Sequence, residues 1–194
     1  MKTAIYAAIL AALALCAGAE EPKKPQAPAA PQGMPPAPKP GPEQDVLKTH
    51  VGTWDATVEM WMEPGKPAVT SKGVDTTVLG PGGFSILTDF KGEFLGGPFS
   101  GHGVMTYDTG RQKYVGTWLD SMTAGISISH GTYDAAKKTM TEWMEGPDMT
   151  GKISKMKTVT DWKDADTRVF TMYNPAGPDG KETPGMRITY KRRK

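Results

Sequence analysis

Asp120, Ser121 and His130 are the residues whose types could form a nucleophilic hydrolase site. A serine hydroxyl attacks when a histidine takes its proton and a carboxylate orients that histidine. Asp120 and Ser121 are adjacent, however, and adjacent residues of a strand point to opposite faces. The run LDSMTAG is more typical of a strand that ends in a hairpin turn, whose amides the Asp and Ser side chains satisfy. Because the common catalytic motifs are also missing from the sequence, we expect a protein that is not an enzyme, with a small hydrolase-like enzyme as the alternative.

Soft metal ligands are the second chemistry that the composition offers. The chain has 12 methionines and 3 histidines, and thioethers together with imidazole suit Cu(I). Such a site could use Met60, Met62, Met140, Met144 and His102. No compact Met/His motif connects these residues, so we predict neither a metal nor another cofactor.

Apolar residues that recur at every second position dominate the chain from the first Gly-Thr-Trp onward. Five of them fall on one face of the first predicted strand, and Trp61 falls on the other; the five are Trp54, Ala56, Val58, Met60 and Met62. Similar runs predict further strands at residues 69–79, 84–94, 99–107, 113–121, 126–133, 139–145, 154–162, 168–173 and 186–191. The pattern therefore predicts about ten strands, with only a turn at residues 44–49 to cap one end.

Short polar segments separate these strands: DTGRQK after Tyr107, DAAKK after Tyr133 and KDADT after Trp162. Such segments form hairpin loops, so consecutive strands should pair antiparallel in an up-and-down meander. The Tyr-Asp pair that precedes the first two loops indicates that both hairpins use one local design. Because an open meander of this length would expose two edges, the sequence predicts an all-β, antiparallel up-and-down β-barrel.

The N-terminal region has the pattern of an export signal and a tether. Residues 1–19 combine Lys2, a short apolar run and Ala17-Gly18-Ala19, which predicts a signal peptide cleaved after Ala19. Lipid attachment at Cys16 is the less favoured alternative, because Leu15 precedes it where a small residue is usual. Residues 20–44 are rich in proline and poor in large apolar residues, as in a disordered, extended linker.

The remaining residues, 45–194, are enough for one domain with its own core. The 23 basic and 21 acidic residues of the chain nearly cancel, so the charge does not indicate a nucleic-acid partner. Cys16 is the only cysteine, and cleavage after Ala19 would leave a mature protein without thiols, disulfides or thiolate metal sites. We expect a periplasmic or extracellular protein that is not stably inserted in a membrane once the signal is removed. The sequence does not define its oligomeric state.

Gly52-Thr53-Trp54 resembles the Gly-x-Trp at the start of the first strand in calycins, the superfamily of lipocalins, fatty-acid-binding proteins and nitrobindins. Most of residues 50–173 resembles the bacterial family known as domain of unknown function 1579, in the words VGTW, SKG, GPFSGHGVMTYD, KYVGTWLDSMTAG and GTYDAAKKTMT. The resemblance implies a calycin-like barrel with no established activity. In calycins, a basic residue of the last strand covers the tryptophan, which implies barrel closure by Gly52, Trp54 and Arg187.

The calycin resemblance also implies an interior that holds a small hydrophobic ligand. The candidate ligand-binding residues are Val58, Met60, Met62, His102, Trp118, Arg168 and Arg187. The carboxylate site of fatty-acid binders is not reproduced, because Arg187 and Tyr190 are three apart and should point to opposite faces. Nitrobindins bind haem through a histidine late in the chain, and the last histidine here is His130. We therefore do not expect haem bound in this way.

These observations predict a binding protein for a small lipophilic molecule. Two alternatives come from other classes. One is a hydrolase-like enzyme that uses Asp120, Ser121 or His130 at the barrel mouth. The other is a structural envelope module with a dry core and a large exposed apolar patch.

Overall fold

The computed structural model describes residues 36–63, 65–175 and 180–194. Within these residues, one helix and ten strands follow one another: α1 (Pro42–Lys48), β1 (Gly52–Met60), β2 (Val69–Leu79), β3 (Ser85–Phe94), β4 (Gly97–Asp108), β5 (Lys113–Asp120), β6 (Ser127–Asp134), β7 (Thr139–Pro147), β8 (Ile153–Asp164), β9 (Thr167–Tyr173) and β10 (Pro184–Arg192). A single 3-10 turn, Pro81–Gly83, lies between β2 and β3. The predicted signal peptide, Cys16 and residues 20–35 of the predicted linker lie outside the described residues.

The ten strands close into one antiparallel barrel. Each strand pairs with its sequence neighbours, and β1 closes the ring by pairing with β10, with Val58 opposite Ile188. No strand edge is left unpaired in this ring, which removes the row of free amides and carbonyls that an open meander would expose. The predicted all-β, up-and-down barrel is confirmed.

The two hairpins predicted to share one design do share it. Asp108 Oδ1 accepts a hydrogen bond from the Arg111 amide at 2.9 Å, and Asp134 Oδ1 accepts one from the Lys137 amide at 3.1 Å. Each turn then ends in a residue with positive φ, Gln112 in one and Lys138 in the other, both at 52°. The aspartate satisfies a turn amide that would otherwise lack a partner, so the same local chemistry fixes both hairpins.

Helix α1 caps one end of the barrel. It begins at Pro42, inside the segment predicted as linker, and buries Gln44 and Leu47. Leu47 packs in a cluster with Ile86, Tyr114 and Met140. Tyr114 also donates a hydrogen bond from its hydroxyl to the Glu43 carbonyl, at 3.0 Å. The end of the barrel at α1 is therefore filled, and we call it the closed end.

A second apolar cluster lies on the other side of the barrel interior. Its buried members are Ala56, Val58, Phe90 and Ile188. The opposite end of the barrel, where β1 finishes at Met60, is called the far end below. No helix among residues 36–63, 65–175 and 180–194 is long and apolar enough to cross a membrane.

Candidate functional site

The barrel interior is lined at its far half by methionine. In this half, strand alternation and register place five methionine side chains on the inner face: Met60, Met144, Met156, Met172 and Met186. Met144 lies directly opposite Met156, and Met186 lies between Met60 and Met172. All five keep part of their surface exposed although they point inward. The far half of the interior is therefore not completely filled by side chains, and we call these five residues the methionine wall.

Glycines on the inner face let large aromatic side chains lie flat against the sheet. A Cβ added at Gly101 would overlap the Trp118 ring, and one added at Gly73 would overlap the Phe90 ring. The glycines therefore accept the rings against the backbone of the neighbouring strand. A ring held in this way lies against the barrel wall and does not extend across the interior.

A buried carboxyl group lies between the methionine wall and the closed end. Glu142 shares the inner face of β7 with Met140 and Met144, and only 6% of its surface is exposed. Ser129 donates a hydrogen bond to its Oε1 at 2.8 Å. Burial raises the pKa of Glu142, and the Ser129 hydrogen bond opposes this shift. Glu142 therefore holds its proton more strongly than an exposed glutamate does.

The closed end contains a buried ion pair. Arg168 Nη2 donates to Asp75 Oδ1 at 2.9 Å, and both side chains are almost completely buried. The guanidinium lies 4.5 Å from the centres of the Trp54 and Tyr190 rings. Burial raises the pKa of Asp75, while Arg168 and the hydrogen bond from Thr77 oppose that rise. The attraction within the ion pair offsets the free-energy cost of removing the two charges from water inside the barrel.

Trp54 is the central side chain of the closed end, and it is fully buried. Its Nε1 donates to the His50 carbonyl at 2.8 Å. Arg192 lies over the ring, 4.0 Å from its centre, and its Nη1 donates to the Val51 carbonyl at 2.7 Å. Gly52, with φ at 130°, leaves room for this guanidinium, because a Cβ there would collide with it.

Comparison with known proteins adds the family. The model of the family described as "Protein of unknown function (DUF1579)" matches residues 39–192. The chain belongs to this family. The DUF1579 match spans the helix and all ten strands, and no curated protein matches the chain.

Solved structures similar to this DUF1579 protein are β-barrels. The crystal structure of Rv2717c from M. tuberculosis aligns with a TM-score of 0.58 and 12% identity, covering 79% of this chain and 99% of that one. A redesigned β-barrel, b11L5F_LGL, aligns with a TM-score of 0.38 and 15% identity over 78% of this chain and 96% of that one. A second, mFAP0 bound to DFHBI, aligns with a TM-score of 0.36 and 14% identity over 74% and 99%. The likeness to Rv2717c supports the fold of the DUF1579 domain.

Four of the seven predicted ligand-binding residues lie on the inner face of the DUF1579 barrel. Val58 belongs to the second apolar cluster, Met60 to the methionine wall, and Trp118 lies flat over Gly101. Arg168 also points inward, but its guanidinium is already paired with Asp75. The structure thus brings Val58, Met60 and Trp118 to the far half of the interior and holds Arg168 at the closed end.

The other three predicted ligand-binding residues do not reach the interior. Met62 lies beyond the end of β1 and is exposed. His102 has outward parity on β4, and its Nδ1 lies 2.8 Å from Asp89 Oδ1 in an exposed pair. Arg187 is on the outer face of β10, 5.3 Å from the centre of the Trp61 ring. The prediction that Arg187 covers Trp54 is wrong, because Arg192 is the residue paired with Trp54 in the β1–β10 register.

The serine, aspartate and histidine considered for hydrolysis do not form a catalytic arrangement. Asp120 Oδ1 accepts hydrogen bonds from the amides of Met122 and Thr123, as expected for a turn. Ser121 Oγ accepts one from the Ser100 amide at 3.1 Å. His130 points outward from β6 and is exposed. These three side chains are therefore used separately, two of them in the turn after β5.

Metal ligands are likewise dispersed. Met140 is packed in the closed-end cluster, while Met62 and His102 lie outside the barrel interior. Among residues 36–63, 65–175 and 180–194, no group of three His, Cys, Asp or Glu side chains is placed to hold a metal ion. The histidine inside the barrel is His50, whose pKa is lowered first by burial and then by Arg168. From the sequence, no role was predicted for His50.

Proposed function

We propose that this DUF1579 protein binds a small lipophilic molecule in the far half of its barrel. The observation that carries the proposal is the methionine wall, whose five side chains face inward and remain partly exposed. Apolar surface in contact with water inside a barrel favours a bound apolar ligand, at about 25 cal/mol for each Å² covered.

The chemistry of the wall favours an irregular or variable ligand. Methionine is unbranched and polarizable, so its side chain adapts to the shape of a bound molecule. Phe99, Trp118 and Phe170 pack against the second apolar cluster and add rigid aromatic surface beside the methionines. Flexible and rigid apolar groups side by side are typical of small-molecule pockets.

We further propose that the protein is exported and acts by binding rather than by catalysis. The export proposal rests on the signal-peptide pattern of residues 1–19 and the proline-rich residues that follow. The mass of the protein isolated from its own source tests it, because cleavage after Ala19 and lipid attachment at Cys16 give different masses.

A double substitution in the methionine wall tests the binding site. Replacing Met156 and Met186 with glutamine keeps the side-chain length but makes the wall polar. We expect the affinity for a lipophilic fluorescent dye to fall roughly tenfold or more, since each lost apolar contact weakens binding. Dye titration followed by fluorescence measures the change.

The matched control places the same two substitutions at exposed methionines. Met122 and Met149 lie in loops at the far end and are 44% and 58% exposed. M122Q/M149Q should bind the dye as the wild type does. Equal losses in both double variants, or no loss in M156Q/M186Q, would show that the dye does not bind at the methionine wall.

A further inference from the structure

Glu142 lacks a cationic partner inside the barrel. No ion pair between residues that the structure describes includes Glu142, and the Ser129 hydroxyl is its hydrogen-bond partner. The groups that shift the pKa of Glu142 are its burial and Ser129, with no charged side chain among them. Ionising a carboxyl group that is buried without a compensating cation costs free energy, which a bound cation would offset.

An unpartnered hydroxyl lies beside this carboxyl group. Thr158 is directly opposite Glu142 in the β7–β8 register and therefore shares its inward face. It is 1% exposed, and its Oγ1 has no hydrogen-bond partner among the described residues. Buried polar groups are normally paired, so a free hydroxyl at this position indicates a group that binds there.

Two glycines make room for the side chains of this site. A Cβ at Gly131 would overlap the Glu142 side chain, and one at Gly116 would lie 2.7 Å from Ser129 Oγ. These two glycines allow Ser129 and Glu142 to occupy the inner face together. Glu142, Ser129 and Thr158 are called the Glu142 site below.

From these contacts we propose that the Glu142 site binds the amino group of a lipophilic amine whose apolar part lies against the methionine wall. The inference rests on the proposed ligand binding in the barrel and narrows the class of ligand. An alkylammonium has three N–H donors, and the site offers three oxygen acceptors: the Glu142 carboxylate, the Thr158 hydroxyl and the Ser129 hydroxyl. Glu142 lies next to Met144 on the same face of β7, so the polar head and the apolar wall are continuous.

A lipophilic carboxylate does not match this interior. Arg168 is the buried cation at the closed end, and it is already paired with Asp75 and stacked between two rings. A carboxylate in the far half would face Glu142 instead, and the two groups repel each other whenever both are ionised. The arrangement thus selects against fatty acids and in favour of amines.

Three amphiphiles with the same alkyl chain distinguish these possibilities: dodecylamine, dodecanol and dodecanoate, each below its aggregation concentration. Isothermal titration calorimetry at neutral pH should show that the wild type binds dodecylamine roughly ten- to a hundredfold more tightly than dodecanoate. Glu142→Gln should lose most of the affinity for the amine and keep that for dodecanol within about twofold.

The matched control is Glu145→Gln, on the same strand but on the exposed outer face. It should preserve the amine preference. Thr158→Val provides a second variant of the site, because it replaces a hydroxyl that has no partner; it should weaken amine binding severalfold. Circular dichroism establishes whether each variant is folded. The preference of the wild type for dodecylamine over dodecanoate tests the inference even if a variant fails to fold.

The outcomes separate the two proposals. If dodecanol binds but dodecanoate equals or exceeds the amine, the amine inference is overturned and the lipophilic site remains. An amine preference that persists in Glu142→Gln also overturns the inference. If none of the three amphiphiles binds, the proposed function fails together with the inference.

Discussion

Arg168→Met should lower the free energy of unfolding by about 3–5 kcal/mol, the usual loss when one partner of a buried ion pair is removed. Asp75 would remain buried without a compensating charge, with only the Thr77 hydroxyl, 3.0 Å from its Oδ1, as a partner. The variant also loses the guanidinium that lies between Trp54 and Tyr190. Urea denaturation followed by circular dichroism measures the change.

Two control variants test whether the loss of stability comes from the buried ion pair. Arg187→Met makes the same substitution on the outer face of β10, where the guanidinium is solvated and lies 4.0 Å from Glu59, and should leave the unfolding midpoint nearly unchanged. The double variant D75N/R168M removes both charges and should recover much of the lost stability. An Arg187→Met loss as large as that of Arg168→Met would contradict the assignment of the buried cation.

Trp54→Ala should destabilise the barrel by about 3–5 kcal/mol, as expected for removal of a fully buried tryptophan. The substitution empties the centre of the closed end. It also removes the indole Nε1 donor that lies 2.8 Å from the His50 carbonyl oxygen in the wild type. It also removes the ring that Arg168 and Arg192 contact. Thermal and urea unfolding should both show the loss.

The matched control is Trp143→Ala on the outer face of β7. Trp143 is 48% exposed, and Lys155 lies 5.7 Å from its ring centre. Its removal should cost less than about 1 kcal/mol. Similar losses for the two tryptophans would show that Trp54 does not close the barrel as described.

The fold could be predicted because alternation is a local signal. The period-two runs predicted about ten strands, and three short polar segments predicted hairpin loops between them, without any knowledge of distant contacts. The same parity correctly placed Trp61 outside, where Arg187 lies over its ring. The alternation does not show where a strand ends. Met62 has the parity of Met60, but β1 ends at Met60, so Met62 does not line the interior.

The residue that covers Trp54 depends on a non-local register, which local patterns do not specify. Arg187 and Arg192 are both on the last strand, and only the pairing of β1 with β10 decides which one meets Trp54. Parity alone gave a clue, because Arg187 is out of phase with Ile188 and Tyr190, both of which belong to or pack against the second apolar cluster.

Glu142 was missed although a signal for it was present. It lies between Met140 and Met144 at inward positions of β7, but glutamate is most often exposed, so its parity alone does not predict burial. Ser129 and Thr158 had the same parity signal on β6 and β8. Their importance comes from the register of three consecutive strands, β6, β7 and β8, which places the three side chains on one face of the sheet.

The measurement that tests ligand binding most directly is native mass spectrometry of the protein purified from its own source without detergent. We expect a species heavier than the polypeptide by the mass of one small molecule, which organic extraction releases as a lipophilic compound. The variant M156Q/M186Q, prepared identically, should carry much less of it, and M122Q/M149Q should carry as much as the wild type. A wild-type protein that has only the polypeptide mass and also fails to bind added lipophilic molecules would contradict the account.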